Sequence, residues 1–302
     1  MLVVLALGMA VRLALPRLTA WAAPGIGFTS TTILRTGVAL LGFRVVAADL
    51  LALGAPALLL VLGTVAATVA GGALIGRLMR QPADLSAISA TSVAICGASA
   101  ALAASAAMPR RAGLERETVL VILIVSLLST AAMLLYPLLA HALGFDANAT
   151  ALLLGAAIHD VAQVAGAGFA ISEDVGVRAV TVKMIRVACL LPVVMVLAML
   201  FLGGADSSSQ KGRRWRVIRP PTFLVLFFLF AVITSTTLLP DDVSALAGTA
   251  ASWLLAAAVG AIGLKTGFGE LKAARPSLAA TLLLQTLWQL SLVTGLILLL
   301  QA

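Results

Sequence analysis

The strongest constraint on this chain is a near-unbroken succession of apolar stretches, each about the length needed to cross a lipid bilayer. Hydrophobic residues make up 62% of the 302 positions, charged residues 11%, and the mean hydropathy is +1.13. A water-soluble domain of this size carries about 25% charged residues to build a solvated surface. Too few charges are present to coat a globule, so the chain must be solvated by lipid. Ten candidate spans follow from the apolar runs: Leu2–Leu15, Ile33–Ala48, Ala55–Leu78, Leu85–Met108, Thr118–Leu143, Ala149–Ile171, Val177–Leu202, Pro221–Leu239, Ser244–Phe268 and Ser277–Leu300. The loops between them are short, rich in Pro, Gly and Arg, and too small to hold a soluble domain. Residues 1–302 therefore read as one transmembrane domain in an all-α membrane protein.

The net charge of +8 raises the question of nucleic acid. Its densest run, Lys211, Arg213, Arg214, Arg216 and Arg219, lies between two apolar stretches, with Trp215 as its one aromatic neighbour. A basic loop between membrane spans is what the positive-inside bias produces, and no nucleic-acid-binding pattern surrounds it. Cys96 and Cys189 lie inside apolar segments, far apart, and form neither a disulfide framework nor a metal site. No phosphate-binding Gly-x-x-x-x-Gly-Lys string is present, and no cofactor is expected.

If ten spans alternate, one face receives Arg12, Arg17, Arg77, Arg80, the Lys211–Arg219 cluster, Lys272 and Arg275. The other receives Arg110, Arg111, Arg116 and Arg178 with Glu115, Glu117, Glu173, Asp174, Asp241 and Asp242. The first face is then cytoplasmic and the C-terminus outside, in a multi-pass protein of a bacterial inner membrane. Five spans in residues 1–143 and five in 144–302 have a similar layout, and an odd number per half inserts the halves with opposite orientation. Two inverted five-helix repeats with crossed, broken helices are the expected architecture.

Small residues cluster at Ile95-Cys96-Gly97-Ala98-Ser99-Ala100 and at Gly260-Ala261-Ile262-Gly263-Leu264-Lys265-Thr266-Gly267. Glycine costs about 1 kcal/mol in a helix relative to alanine, so a mid-span cluster marks a break. Such a break is tolerated at membrane depth where protein or a wet cavity supplies partners for the freed backbone. Two breaks crossing near the midplane would aim helix N-termini at a shared anion site. The competing reading is close helix packing through small residues. Around the first break, Cys96, Gly97, Ala98 and Ser99 are candidate substrate ligands, with Lys265, Thr266 and Arg44 supplying charge and hydroxyl. His159, Asp160, Gln163, Lys183 and Arg186 form a second polar set within apolar runs, read as the coupling group. Each should pair or face water, since a charge at the bilayer centre costs at least ~2.5–3.5 kcal/mol; Arg44 and Lys183 could instead snorkel to the interface. A lone His-Asp pair lacks further metal ligands, and no catalytic constellation accompanies it, so neither a metal nor an enzyme activity is expected.

Several polar-in-apolar strings carry a family resemblance: Leu34-Arg35-Thr36-Gly37 through Arg44, Ala94 to Ala100, Gly155 to Val164, Val180-Thr181-Val182-Lys183 with Arg186, and Gly263-Leu264-Lys265-Thr266. Over nearly its whole length the chain resembles the YeiH-like family of bacterial membrane proteins, whose name assigns it sulfate export. That family is similar in turn to the bile-acid/sodium symporters and sodium/proton antiporters, which implies crossed broken helices. Family members carry a further apolar span ahead of the segment that starts here, and Ile233-Thr234-Ser235 stands where the family pattern has an Asn-Ser pair. The resemblance implies a secondary transporter exporting sulfate or a related sulfur oxyanion. The expected partners are a small anionic solute and the lipid bilayer, with no nucleic acid, and a homo-oligomer is allowed. The alternative is a cation/proton antiporter of the same fold, which ordinarily needs two carboxylates at the crossing where this chain offers Asp160.

Overall fold

The computed structural model describes residues 2–44, 54–109, 111–202, 222–236, 241–265 and 275–301, and among these every regular element is helical. In chain order the helices are α1 (Leu2–Ala14), α2 (Pro16–Trp21), α3 (Ala23–Phe28) and α4 (Leu34–Leu41), the last two joined by a π-helical turn, Thr29–Ile33. Then come α5 (Gly54–Leu78), α6 (Ala83–Ala94), α7 (Ala98–Ala106), α8 (Leu114–Ala142), α9 (Ala147–Ala157) and α10 (Val161–Ile171). The remainder are α11 (Glu173–Ala188), α12 (Leu190–Leu202), α13 (Thr222–Ser235), α14 (Asp241–Lys265) and α15 (Pro276–Gln301).

Six helical stretches among the described residues are long and apolar enough to cross a membrane: Ala23–Arg44, Ala57–Leu78, Leu114–Ala142, Glu173–Phe201, Asp242–Lys265 and Pro276–Leu300. Their outward faces carry large apolar side chains such as Leu59, Leu138, Leu200 and Trp253, as lipid solvation requires. Two of the expected spans behave differently. Residues 85–108 and 149–171 are each a pair of half-helices that enters the bundle and returns to the face it came from.

The helix registers establish this. Beyond α7, Arg111 pairs with Asp84 in the first turn of α6 and with Glu117 in the first turn of α8. Thr118 of α8 hydrogen-bonds Ser105 near the end of α7, while Gly97 at its start faces Val125, so α7 runs antiparallel to α8. The end of α7 thus lies on the face where α6 begins. On the opposite face, Arg178 of α11 donates to Asn148 at the start of α9 (2.6 Å), and Gly155 further along α9 meets Ala179 and Val182. Helices α9 and α11 are therefore parallel. Helix α10 turns into α11 through Ser172 and packs Gly168 on Gly176, so it is antiparallel to both. Two helical hairpins enter from opposite faces and meet tip to tip.

Local chemistry sets the ends of these elements. Asp146 caps α9 by accepting from the Ala149 N–H (2.7 Å), and Ser172 caps α11 by accepting from Val175 (3.1 Å). Two bundles result. Helices α1–α4, α13 and α14 pack on one another, α5–α12 and α15 form the second group, and α10 leans on α14 between them.

The alternating ten-span layout is corrected in two places. No break falls in Gly260–Lys265: α14 continues as helix through Gly260 and Gly263 to Lys265, and Thr266 and Gly267 lie outside the described residues. Gly260 and Gly263 admit close packing of α1, since a Cβ on Gly8 would come within 2.5 Å of the Gly260 carbonyl oxygen. The true second break is Ile158-His159-Asp160, between α9 and α10. Arg111, and the Glu117 that pairs with Arg275, lie on the Arg77 and Arg80 face rather than opposite it, because the first hairpin does not cross. The Lys211–Arg219 cluster, Lys272 and Arg110 lie outside the described residues.

Candidate functional site

Each hairpin tip frees two helix ends. At the first tip α6 stops at Ala94 and α7 starts at Ala98, the turn passing through Gly97 at φ 62°, ψ −118°. That conformation strains any residue with a Cβ. The turn closes on itself: Gly97 N–H donates to the Ser92 carbonyl (2.9 Å), and the Ser92 hydroxyl to the Gly97 carbonyl (3.0 Å). At the second tip α9 stops at Ala157, and Asp160 caps α10 by accepting from the Ala162 N–H (2.9 Å). The Asp160 N–H donates to the Ser129 hydroxyl of α8 (3.0 Å).

The C-terminal ends of α6 and α9, with their partly negative carbonyls, meet at fully buried cations from α11. Arg186 donates to the carbonyls of Val93 and Ala94 in the first hairpin and to Ala156 (2.8 Å) and Ile158 (3.0 Å) in the second. Lys183 Nζ donates to Ile95 (2.7 Å) and Ile158 (2.6 Å), bridging the two tips. His159 pairs through Nδ1 with the Val93 carbonyl (3.2 Å) and through Nε2 with Thr286 of α15 (3.1 Å), while Gln289 donates to Ala156 (3.1 Å). Cations at helix C-termini complement the macrodipole, and the donors fill carbonyls that neither lipid nor the helix could satisfy. His159, Lys183 and Arg186 are each 0% exposed, so the structure places them behind the tips as a clamp.

The N-terminal ends of α7 and α10 face the other way, into a cavity of about 350 Å³ between the two bundles. Cys96, Ala98, Ser99, Asp160, Gln163 and Lys265 line it, so six of the residues picked out in the sequence come together. Gly97 shapes the turn beside them. The Ala100 N–H in the first turn of α7 faces the Cys96 sulfur, and that turn borders the cavity through Ala98 and Ser99. Arg35 of α4 and Lys265 at the end of α14 also border it; among the described residues neither makes a close ion pair, and Lys265 lies near enough to Asp160 to attract its carboxylate. Arg35, Ser126 and Thr130 are lining residues that the sequence reading left out of the site. A charge inside an apolar run was the available signal for Arg35; a serine or threonine on a long helix offers none.

Arg44 lies elsewhere. It ends the 3-10 turn after α4, pairs with Glu173 at the start of α11, and borders a second cavity of about 680 Å³ on the opposite face, with Asn148, Asp174, Arg178 and Thr249. The two cavities occupy the same inter-bundle seam, one towards each face. Among the described residues no group of three or more His, Cys, Asp or Glu could hold a metal ion.

A family model described as conserved hypothetical protein 698 matches residues 1–281. Among relatives, the UPF0324 membrane protein TauZ of Paracoccus pantotrophus is 40% identical over 90% of this chain and 80% of its own length. A UPF0324 membrane protein of Rhizobium meliloti (strain 1021) is 42% identical over 87% of the chain and 74% of its own length. The chain belongs to the UPF0324 family of membrane proteins. A third UPF0324 protein, from Chlorobaculum tepidum, is 38% identical over 90% of the chain and 75% of its own length. No solved structure matches the chain.

Proposed function

We propose that this UPF0324 protein is a secondary transporter that carries a small anion across the membrane, working without enzymatic chemistry or a cofactor. The observation that carries the reading is the sorting of helix ends at the hairpin tips. The negative ends are neutralised in the clamp by Lys183 and Arg186. The positive ends open on a cavity that also has Arg35 and Lys265 at its rim. An anion entering there meets the start of α7 and the cations Arg35 and Lys265, the arrangement that helix termini offer to anions in broken-helix transporters.

Hairpins that enter from opposite faces supply the inverted relation that alternating access requires, in support of the inverted-repeat and superfamily resemblance. Movement of the α5–α12 and α15 bundle against the α1–α4, α13 and α14 bundle would open one cavity as the other closes. The face carrying Arg77, Arg80, Arg111, Arg116 and Arg275 is the cytoplasmic one by the positive-inside bias, which leaves the C-terminus outside a bacterial inner membrane. The sulfate-exporter resemblance supports a sulfur-containing anion as cargo.

The test is solute counterflow in proteoliposomes. Lys265→Ala should abolish anion exchange while the protein still inserts and remains monodisperse in detergent; wild-type exchange in that variant would remove Lys265 from the site. Asp160 on the cavity wall favours a second reading, a cation/proton antiporter. A dye-quench response to sodium or potassium that ignores the anion would select that reading instead.

A further inference from the structure

The cavity has more to say about its cargo than the sign of its charge. We infer that the ligand is an organic monoanion, a sulfonate or carboxylate head on a short apolar body, rather than inorganic sulfate; this rests on the anion-site reading above. Four observations carry it.

The first is size. A volume of about 350 Å³ falls in the range of small organic-ligand pockets, ~300–1,000 Å³, and one central atom with four oxygens would fill a small part of it. The second is the wall. Leu34, Val38 and Phe223 from one bundle face Leu102, Ile122 and Leu127 from the other, a surface that rewards a hydrocarbon. The third is where the donors lie. The first turn of α7 borders the cavity at the hairpin tip through Ala98 and Ser99, which suits a head group bound at that end. The fourth is Asp160, which lines the same cavity with a carboxylate and raises the cost of a dianion more than that of a monoanion.

The cargo therefore anchors its head at the α7 N-terminus, with Arg35 and Lys265 at the rim, and lays its body along the apolar wall.

Titrating the purified protein by calorimetry with sulfate, then methane-, ethane-, propane- and butanesulfonate, tests the inference. Acetate, propionate and butyrate form a parallel carboxylate arm. Affinity should rise about fourfold per added methylene in at least one arm, since a buried CH2 is worth ~0.8 kcal/mol. Sulfate should bind more weakly than any four-carbon ligand. In Leu102→Asn the gain per methylene should fall below twofold; the wild-type series stands if that variant does not fold. In Asp160→Asn, which keeps a helix cap, sulfate should gain on methanesulfonate. Sulfate binding tightest, with no dependence on chain length, overturns the organic-ligand inference while leaving an anion site. No binding of any anion overturns the anion-site reading itself.

Discussion

Arg186 does at one residue what a soluble protein would leave to water. Its guanidinium serves carbonyls in both hairpins, and Lys183 adds a second bridge between the tips. Replacing Arg186 by Met would keep much of the volume but leave the Ala94 carbonyl without a donor, while Val93, Ala156 and Ile158 keep His159, Gln289 and Lys183. At ~1–3 kcal/mol for an unsatisfied buried group, Arg186→Met should cost about 1–3 kcal/mol. The expected readout is a clear fall in melting temperature in detergent, and an unchanged melt would show the clamp to be dispensable. Gly97 is the other critical residue. Its backbone at φ 62° is one that side-chain-bearing residues avoid, so Gly97→Ala should destabilise by about 1–3 kcal/mol. Gly295→Ala is the matched control: a Cβ there meets nothing within 4 Å, and its melt should shift little.

At the scale of elements, the two bundles are tied on the second face by the Arg44–Glu173 pair, which joins the end of α4 to the start of α11. The Glu173 side chain is 70% exposed, so the pair contributes little to stability but can hold a seam shut. Arg44 rests on α14 at Gly248, where an added Cβ would lie 2.2 Å from Arg44 Nε. Gly248→Val should therefore push the guanidinium aside, as Glu173→Gln should weaken its hold. Both are expected to speed maleimide labelling of a cysteine placed at Thr249, in the second cavity, by severalfold. An unaltered labelling rate would show that the pair does not restrain this seam. The native cysteines, Cys96 and Cys189, are both buried, which keeps the background low.

For the molecule as a whole, the re-entrant hairpins change which loops share a face. Cysteines at Gln81 and Ala112 should react with an impermeant maleimide from one side, and cysteines at Ala147 and Asp174 from the other. Ten alternating spans would instead put Gln81 and Ala112 on opposite sides, so labelling in right-side-out and inverted vesicles separates the two topologies. The arginines follow the hairpins: Arg77, Arg80, Arg111 and Arg275 share a face on which Arg111 and Arg275 are tied together through Glu117. This sharpens the charge asymmetry that sets orientation.

Composition and apolar run length were enough to determine a helical membrane protein, because scarce charge leaves lipid as the solvent and lipid demands closed backbone hydrogen bonding. The first hairpin tip was also legible, since Gly97 beside Cys96 and Ser99 is a poor continuation of a helix. The second tip was not. Ile158-His159-Asp160 has no glycine, and Asp160 as a helix cap is a weak signal inside an apolar run. That break persists because Lys183, Arg186 and Gln289, distant in sequence, supply the donors its carbonyls need. Conversely, the Gly260–Gly263 segment stays helical because those glycines admit α1 rather than break α14. Whether a glycine marks a break or a contact, and whether a buried cation meets cargo or backbone, depends on what packs against it, and only the tertiary structure decides that.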